Sequence, residues 1–251
     1  MIHFKSFLMK KKILIFVVTY KASFRIFNLI KKIPFKKLSR FNYQIYISDD
    51  HSDDNVSLKY ITMTKYKFGS KVKLNFNKKN IGYGANIKRC IKYALKNNYD
   101  YAAMLHGDNQ YNPKYLSNMI DLIIKKKEYD AIVGSRLMNK KSALKGNMPI
   151  YKFIGNIFLS KYFNLFYDTK FTDCHTGYWM YKCSKIKDLY MKCDNKFCFD
   201  LDLRLQLVEK KRKIKEIAIK TFYGTERSSI HFIYAIRFFY KVIKFKILKR
   251  L

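Results

Sequence analysis

Residues 13–18 read Ile-Leu-Ile-Phe-Val-Val, an unbroken apolar run dominated by β-branched side chains. As a strand, such a segment has no face that tolerates water and must be covered on both sides. The basic stretch before it, Met1 to Lys12, invites comparison with a secretory signal. A signal would place a small-residue cleavage site after the apolar run, whereas this run enters Thr19-Tyr20-Lys21. The segment is therefore read as the first core strand. No stretch of the chain approaches the ~20 apolar residues needed to span a bilayer.

The cover for such a strand is legible downstream. Helices are expected over residues 22–33 (ending before Pro34), 56–67, 86–97 and 114–127, the last started by Pro113. Strands are expected over 44–48, 72–76, 101–105 and 131–133. Strands alternating with helices imply a mostly parallel sheet with right-handed crossovers. The second half is less regular, with a helix over 153–167, a loop and short strand within 173–181, a helix over 200–211 and a strand over 214–219. With 251 residues, no evident linker and no internal repeat, one core is the economical reading.

Each polar or Gly-rich segment follows a strand, so all of them collect at the carboxyl edge of the sheet, where open α/β folds bind ligands. Asp49, Asp50, Asp53 and Asp54 crowd into one such segment in a chain poor in acids, with 18 Asp+Glu against 52 Lys+Arg. Asp50 is expected to accept hydrogen bonds from a ribose or base, and Asp53 and Asp54 to cap the following helix. Gly82-Tyr83-Gly84-Ala85 precedes a helix and suits either backbone approach to an anion or a turn needing positive φ. It lacks the third Gly of a dinucleotide fingerprint. In His106-Gly107-Asp108-Asn109-Gln110, residues 106, 108 and 110 would point the same way if the strand ran on. An imidazole, a carboxylate and an amide oxygen could then hold one divalent cation; the bland alternative is a polar loop with Asp108 as a turn residue.

The formal net charge of +34 suggests a polyanionic partner, or a compositional bias toward lysine. The five cysteines are odd in number and form no C-x-x-C pair, which argues against a disulfide framework or zinc ribbon and for reduced thiols.

Taken in order, seven segments resemble family 2 glycosyltransferases of the GT-A fold, nearest to the dolichol-phosphate mannosyltransferase-like, polyprenyl-phosphate branch. They are Val17-Val18-Thr19-Tyr20-Lys21, Ser48-Asp49-Asp50-His51-Ser52-Asp53, Asn80-Ile81-Gly82-Tyr83-Gly84-Ala85, His106 to Pro113, Gly134-Ser135-Arg136, Asp173-Cys174-His175-Thr176-Gly177-Tyr178 and Tyr223-Gly224-Thr225-Glu226-Arg227-Ser228. The resemblance covers about residues 11 to 230. It implies an α/β, Rossmann-like GT-A domain over residues 1–229, with residues 230–251 as a basic amphipathic C-terminal helix. It places Thr19, Tyr20, Asp50 and Gly82 around the nucleotide. Asp108 with Gln110, and His106 as a third candidate, would bind Mg²⁺ or Mn²⁺ and the donor diphosphate. Arg136 and Arg227 would contact the diphosphate or an acceptor phosphate, and Asp173 would lie near the acceptor. Two departures stand out. Lys21 replaces an acid after the first strand, and His106 replaces the first acid of the family's D-x-D signature.

The implied reaction is inverting, metal-assisted transfer of a hexose from a UDP- or GDP-sugar to a polyprenyl phosphate or a related glycan. A phosphate acceptor needs no base; a hydroxyl acceptor would need one, with Asp173 the candidate. In the C-terminal stretch Arg237, Lys241 and Lys244 recur at helical spacing among apolar residues. That pattern suits the anionic inner face of a membrane, with a cytoplasmic, peripheral protein, or a terminal helix packed on its own domain. No nucleic-acid partner is expected, because the basic residues are dispersed and no binding motif is present. The rival readings are a basic nucleic-acid-binding protein, a nucleotidyltransferase and an inactive glycosyltransferase relative.

Overall fold

The computed structural model describes residues 10–223 and 232–247. Among the described residues seven strands form one sheet: β1 (Lys12–Thr19), β2 (Asn42–Asp49), β3 (Val72–Phe76), β4 (Tyr101–His106), β5 (Ala131–Ser135), β6 (Trp179–Lys182) and β7 (Ile214–Ala218). The helices, in chain order, are α1 (Arg25–Lys31), α2 (Phe35–Leu38), α3 (Asn55–Phe68), α4 (Tyr83–Lys96), α5 (Leu116–Lys125), α6 (Lys140–Lys145), α7 (Ile150–Tyr167), α8 (Cys183–Ile186), α9 (Phe199–Glu209) and α10 (Phe232–Ile247).

The strand order is β3-β2-β1-β4-β6-β5-β7. All neighbouring pairs are parallel except those made by β6, which runs antiparallel between β4 and β5. The apolar run lies in β1, near the middle, and Ile13 to Val17 are fully buried. Strand alternation divides its side chains between two cores. Ile13, Ile15 and Val17 pack with Ile26 and Ile30 of α1 and with Met119 and Ile123 of α5. Leu14, Phe16 and Val18 pack with Ile87 and Ile91 of α4 and with Phe199, Leu203 and Leu207 of α9.

Helix α9 is apolar on two sides. Phe199, Leu203 and Leu207 face the sheet, while Leu201 and Leu205 face a third cluster built with Leu159 and Phe163 of α7 and Phe238 and Val242 of α10. The C-terminal helix is thus packed into the same body as the sheet. Its Lys241 does not belong to an outward basic stripe, because it reaches inward to Asp202 at 2.7 and 2.9 Å and to Asp194 at 3.5 Å. Among the described residues no helix is long and apolar enough to cross a membrane. The five cysteines are buried and unpaired.

Candidate active site

The carboxyl ends of β1, β2, β4 and β5 open into a cleft of about 2200 Å³, completed by α7, α9, α10 and the segment after β7. Thr19 ends β1 and is buried, its Oγ1 without a hydrogen-bond partner among the described residues. Gly107 lies so close that a Cβ there would run into the Thr19 side chain. Tyr20 is 49% exposed at the cleft mouth, and Lys21 makes an exposed pair with Asp53 at 2.8 Å with its ammonium 5.3 Å from the centre of the Tyr20 ring.

The acidic cluster after β2 divides its work. Asp54 caps α3 by accepting from the Ser57 N–H at 2.7 Å, as expected of a residue preceding a helix. Asp49 accepts from both the N–H and hydroxyl of Ser52, at 2.7 and 2.6 Å. Asp50 lines the cleft, but its oxygens already accept from Asn77 Nδ2 (2.8 Å), the Ile81 N–H (2.9 Å) and the Gly82 N–H (2.9 Å). Its first service is to pin the loop that starts α4. Gly82, at φ 90°, takes a conformation that side chains avoid, so the turn reading of this glycine applies. The anion-cradle reading does not fit: the Gly82 N–H is held by Asp50 and the Ala85 N–H donates to the Asn195 carbonyl at 2.9 Å. Gly84 is needed for another reason, since a Cβ would strike the Asp194 carbonyl of the chain lying across the helix start.

The His106–Gln110 segment departs from the expected alternation. Strand β4 ends at His106, the Gly107 N–H donates to the Val18 carbonyl at 2.9 Å, and Asn109 adopts φ 61°. The chain therefore turns before Asp108, and His106, Asp108 and Gln110 do not continue as one strand face. Asp108 is exposed in the cleft; its Oδ1 accepts from the Gln110 N–H at 2.9 Å. Gln110 also lines the cleft. The His106 Nε2 instead lies 3.1 Å from the Tyr83 hydroxyl, with its ring edge-on to Tyr83 and Tyr111. Burial lowers its pKa and favours the neutral imidazole. A Cβ at Gly177 would lie 2.6 Å from the His106 ring, which explains the glycine opposite it.

Tyr83 leads to an acid that sequence reading overlooked. Its hydroxyl donates to Asp200 Oδ2 at 2.7 Å, and burial pushes the Asp200 carboxyl up to about 7. The second oxygen, Oδ1, is buried with no hydrogen-bond partner among the described residues, and Asp200 lines the cleft. In sequence Asp200 and Asp202 look like ordinary acids favouring a helix N-terminus. Only their neighbours separate the two roles.

Arg136, just past β5, meets Asp173 in a fully desolvated two-pronged pair, Nε to Oδ2 at 2.7 Å and Nη2 to Oδ1 at 2.9 Å. Asp173 also accepts from the Arg136 and His175 N–H groups, at 3.1 and 3.2 Å. Burial alone would raise the Asp173 carboxyl; the adjacent guanidinium outweighs it and holds the pKa below the ordinary value. An acid that is fully buried, paired and hard to protonate is a poor proton acceptor, so the geometry goes against Asp173 as a base. The remaining Arg136 nitrogen, Nη1, donates to the Tyr223 hydroxyl at 2.9 Å. Lys152, in the first turn of α7, joins this corner. Burial and the Arg136 charge lower its pKa, and among the described residues no carboxylate pairs with it. Arg227 lies outside the described residues.

Together these features define a GT-A-type α/β enzyme, with a cleft at the strand ends that carries an outward carboxylate, Asp108, on one wall and the Arg136–Asp173 pair with Lys152 on another. Residues 15–190 match the family described as glycosyl transferase family 2. The chain belongs to that family and is a glycosyltransferase. It is 30% identical over 176 residues, 68% of each chain, to a UDP-N-acetylglucosamine–dolichyl-phosphate N-acetylglucosaminyltransferase of Methanococcus voltae. Its fold is similar to that of glucosyl-3-phosphoglycerate synthase from Mycobacterium tuberculosis. The complex with Mn²⁺, UDP-glucose and glycerol 3-phosphate superposes with a TM-score of 0.66 at 11% identity, covering 96% of this chain and 80% of the other. The complex with Mn²⁺, UDP and glucosyl-3-phosphoglycerate gives 0.63 at 10% identity with the same coverage.

Proposed function

We propose that this glycosyltransferase moves a hexose from a UDP- or GDP-sugar to a polyprenyl phosphate, with inversion at the anomeric carbon, on the cytoplasmic side of a membrane. The observation that carries the acceptor assignment is the Arg136–Lys152 corner. It holds two cations, and the acid that meets them, Asp173, is spent on Arg136, which leaves Lys152 without a carboxylate among the described residues. Such a corner attracts a phosphate and offers no base to a hydroxyl. The acceptor phosphate oxygen, already anionic near neutral pH, attacks the anomeric carbon as the bond to the nucleoside diphosphate breaks. The M. voltae relative, named for a dolichyl-phosphate acceptor, supports the same class.

Thr19, Tyr20, Asp50 and Gly82 border the part of the cleft assigned to the nucleotide. Asp50 acts chiefly by holding the 81–82 backbone in place. A divalent cation fits this site only in company with the donor. Asp108 offers an outward carboxylate and Gln110 an amide oxygen, both hard ligands. His106 is engaged by Tyr83, and no group of three His, Cys, Asp or Glu side chains forms a cage among the described residues. Bound there by Asp108 and Gln110, Mg²⁺ or Mn²⁺ would neutralise the leaving diphosphate. Tyr83 and Asp200 are suited to receive hydroxyls of the transferred sugar.

One observation favours a second reading, in which the acceptor is a sugar hydroxyl: Asp200, with its pKa near neutrality and one unpartnered oxygen, has the properties of a general base. Incubation with UDP- and GDP-sugars, Mn²⁺ or Mg²⁺, and a short-chain polyprenyl phosphate should yield a prenyl phosphosugar by mass spectrometry. Product from a glycan hydroxyl instead, abolished in Asp200→Asn, would establish the second reading. A thermal-shift panel in which no nucleotide sugar stabilises the protein would remove the donor assignment.

A further inference from the structure

Helix α7 carries its apolar residues on both sides. Leu159, Phe163 and Tyr167 point into the cluster shared with α9 and α10. The outward side reads Ile150, Ile154, Phe158, Lys161, Leu165, steps of four and three residues that keep to one face, with Tyr151 beside it. Ile150 and Tyr151 are 70% exposed, Ile154 60%, Phe158 59% and Leu165 81%. Helix α10 repeats the pattern. Phe238 and Val242 point inward, while Ile236, Tyr240, Ile243 and Ile247, again spaced by four and three, are 39–61% exposed. The helices touch through Phe239, whose ring lies 4.7 Å from Tyr162 and 5.9 Å from Phe158. Both pack inward on the same cluster, and the outward stripe of α7 adjoins α10 where Phe158 lies against Phe239. Scattered apolar residues at a surface need no explanation; two adjoining stripes that together make a continuous face do.

The charge around this face selects the occupant. Neither helix contains an acidic residue. Lys161 lies in the α7 stripe, Arg237 and Lys244 flank the α10 stripe, and Lys140, Lys141 and Lys145 are exposed on α6 just before α7. An apolar strip bordered by cations matches the boundary of an anionic bilayer, where side chains enter the acyl region and ammonium groups meet lipid phosphates. The cleft reaches the same face. Phe158 of the outward stripe and Tyr151 beside it also line the cleft, together with Leu159, Phe238 and Phe239. Lys152 follows Tyr151 directly.

We infer that α7 and α10 form a flat membrane footing, and that a lipid acceptor enters the cleft from the bilayer between Tyr151, Phe158 and Phe239, its phosphate leading toward Lys152 and Arg136. The entry route rests on the polyprenyl-phosphate reading; the footing does not. It differs from a basic C-terminal helix acting alone, because Lys241 is turned inward and, of the two helices, α7 carries the more exposed apolar side chains.

The test uses the full chain and phosphatidylcholine vesicles with and without phosphatidylglycerol. Wild type should cosediment with the anionic vesicles, less so at high salt. The pairs Ile154→Glu with Leu165→Glu, and Ile243→Glu with Ile247→Glu, should each weaken binding roughly tenfold or more by placing charge on the buried side of an interfacial helix. These residues are exposed, so melting temperature should hold, and a short soluble prenyl phosphate should still be turned over while long-chain acceptor in vesicles is not. Binding undiminished in both pairs overturns the footing. So does wild type that ignores vesicles and instead self-associates through these residues in sedimentation velocity. Stripe-dependent vesicle binding without transfer to any prenyl phosphate would keep the footing and retire the acceptor reading.

Discussion

Replacing Asp173 by Asn separates a structural acid from a catalytic one. The substitution keeps the side-chain shape and removes the charge that faces Arg136 across 2.7 and 2.9 Å in a fully buried setting. Breaking a buried ion pair from one side leaves the partner charge uncompensated, at a cost of about 3–5 kcal/mol. For a chain of this size each kcal/mol shifts the melting temperature by a few degrees, so a drop of roughly 6–20 °C is expected. The double variant Arg136→Met with Asp173→Leu, which removes both charges, should recover part of that loss. The pH dependence has a definite sign. The native Asp173 carboxyl is held below its ordinary value, so its contribution is complete above the unfolded pKa of ~3.9 and is lost as pH falls through the lower native value. The difference between wild type and variant should therefore be constant near neutrality and shrink only in acid. Scanning calorimetry across pH, paired with transfer assays, measures both. An Asp173→Asn protein that melts like wild type while losing turnover, without change in KM, would refute the ion-pair argument and restore Asp173 as a base.

Two further substitutions probe the other side of the cleft. Asp200 has the opposite sign: its native pKa of about 7 is raised, so the native state is favoured when the carboxyl is protonated and loses that advantage as pH rises through about 7. Asp200→Asn, still able to accept from Tyr83, should melt higher than wild type at pH 8 and not at pH 5; equal melting at both would show the carboxyl is not perturbed. His106→Ala should leave the relative preference for Mn²⁺ and Mg²⁺ in UDP-binding calorimetry unchanged, whereas Asp108→Asn should remove the metal's effect. A preference that moves toward Mg²⁺ in His106→Ala would make the imidazole a ligand after all.

Much of the fold was readable from local pattern. The apolar run at 13–18 became the doubly covered strand β1, and the expected strands at 44–48, 72–76, 101–105 and 131–133 fall within β2 to β5. Pro34 and Pro113 mark element boundaries as a missing N–H and a fixed φ require. What periodicity did not contain was the insertion of β6 between β4 and β5, reversed in direction, because strand pairing depends on contacts between distant segments. The expected alternation through His106, Asp108 and Gln110 failed for a local reason with a tertiary cause. The bond from the Gly107 N–H to Val18 and the tight approach of Gly107 to Thr19 turn the chain off the strand.

The sequence by itself determined that the polar segments would gather at one edge of an α/β sheet, since chain direction and alternation dictate that much. It also carried the family signature. Only the tertiary structure decided what each charged group does. Arg136 and Asp173 stand 37 residues apart, and Tyr83 and Asp200 stand 117 apart, yet each pair is in hydrogen-bond contact. Whether a carboxylate is spent on an arginine, caps a helix, or waits with a raised pKa depends on distance and burial. Both are set by how separate elements pack, and no spacing along the chain encodes them directly.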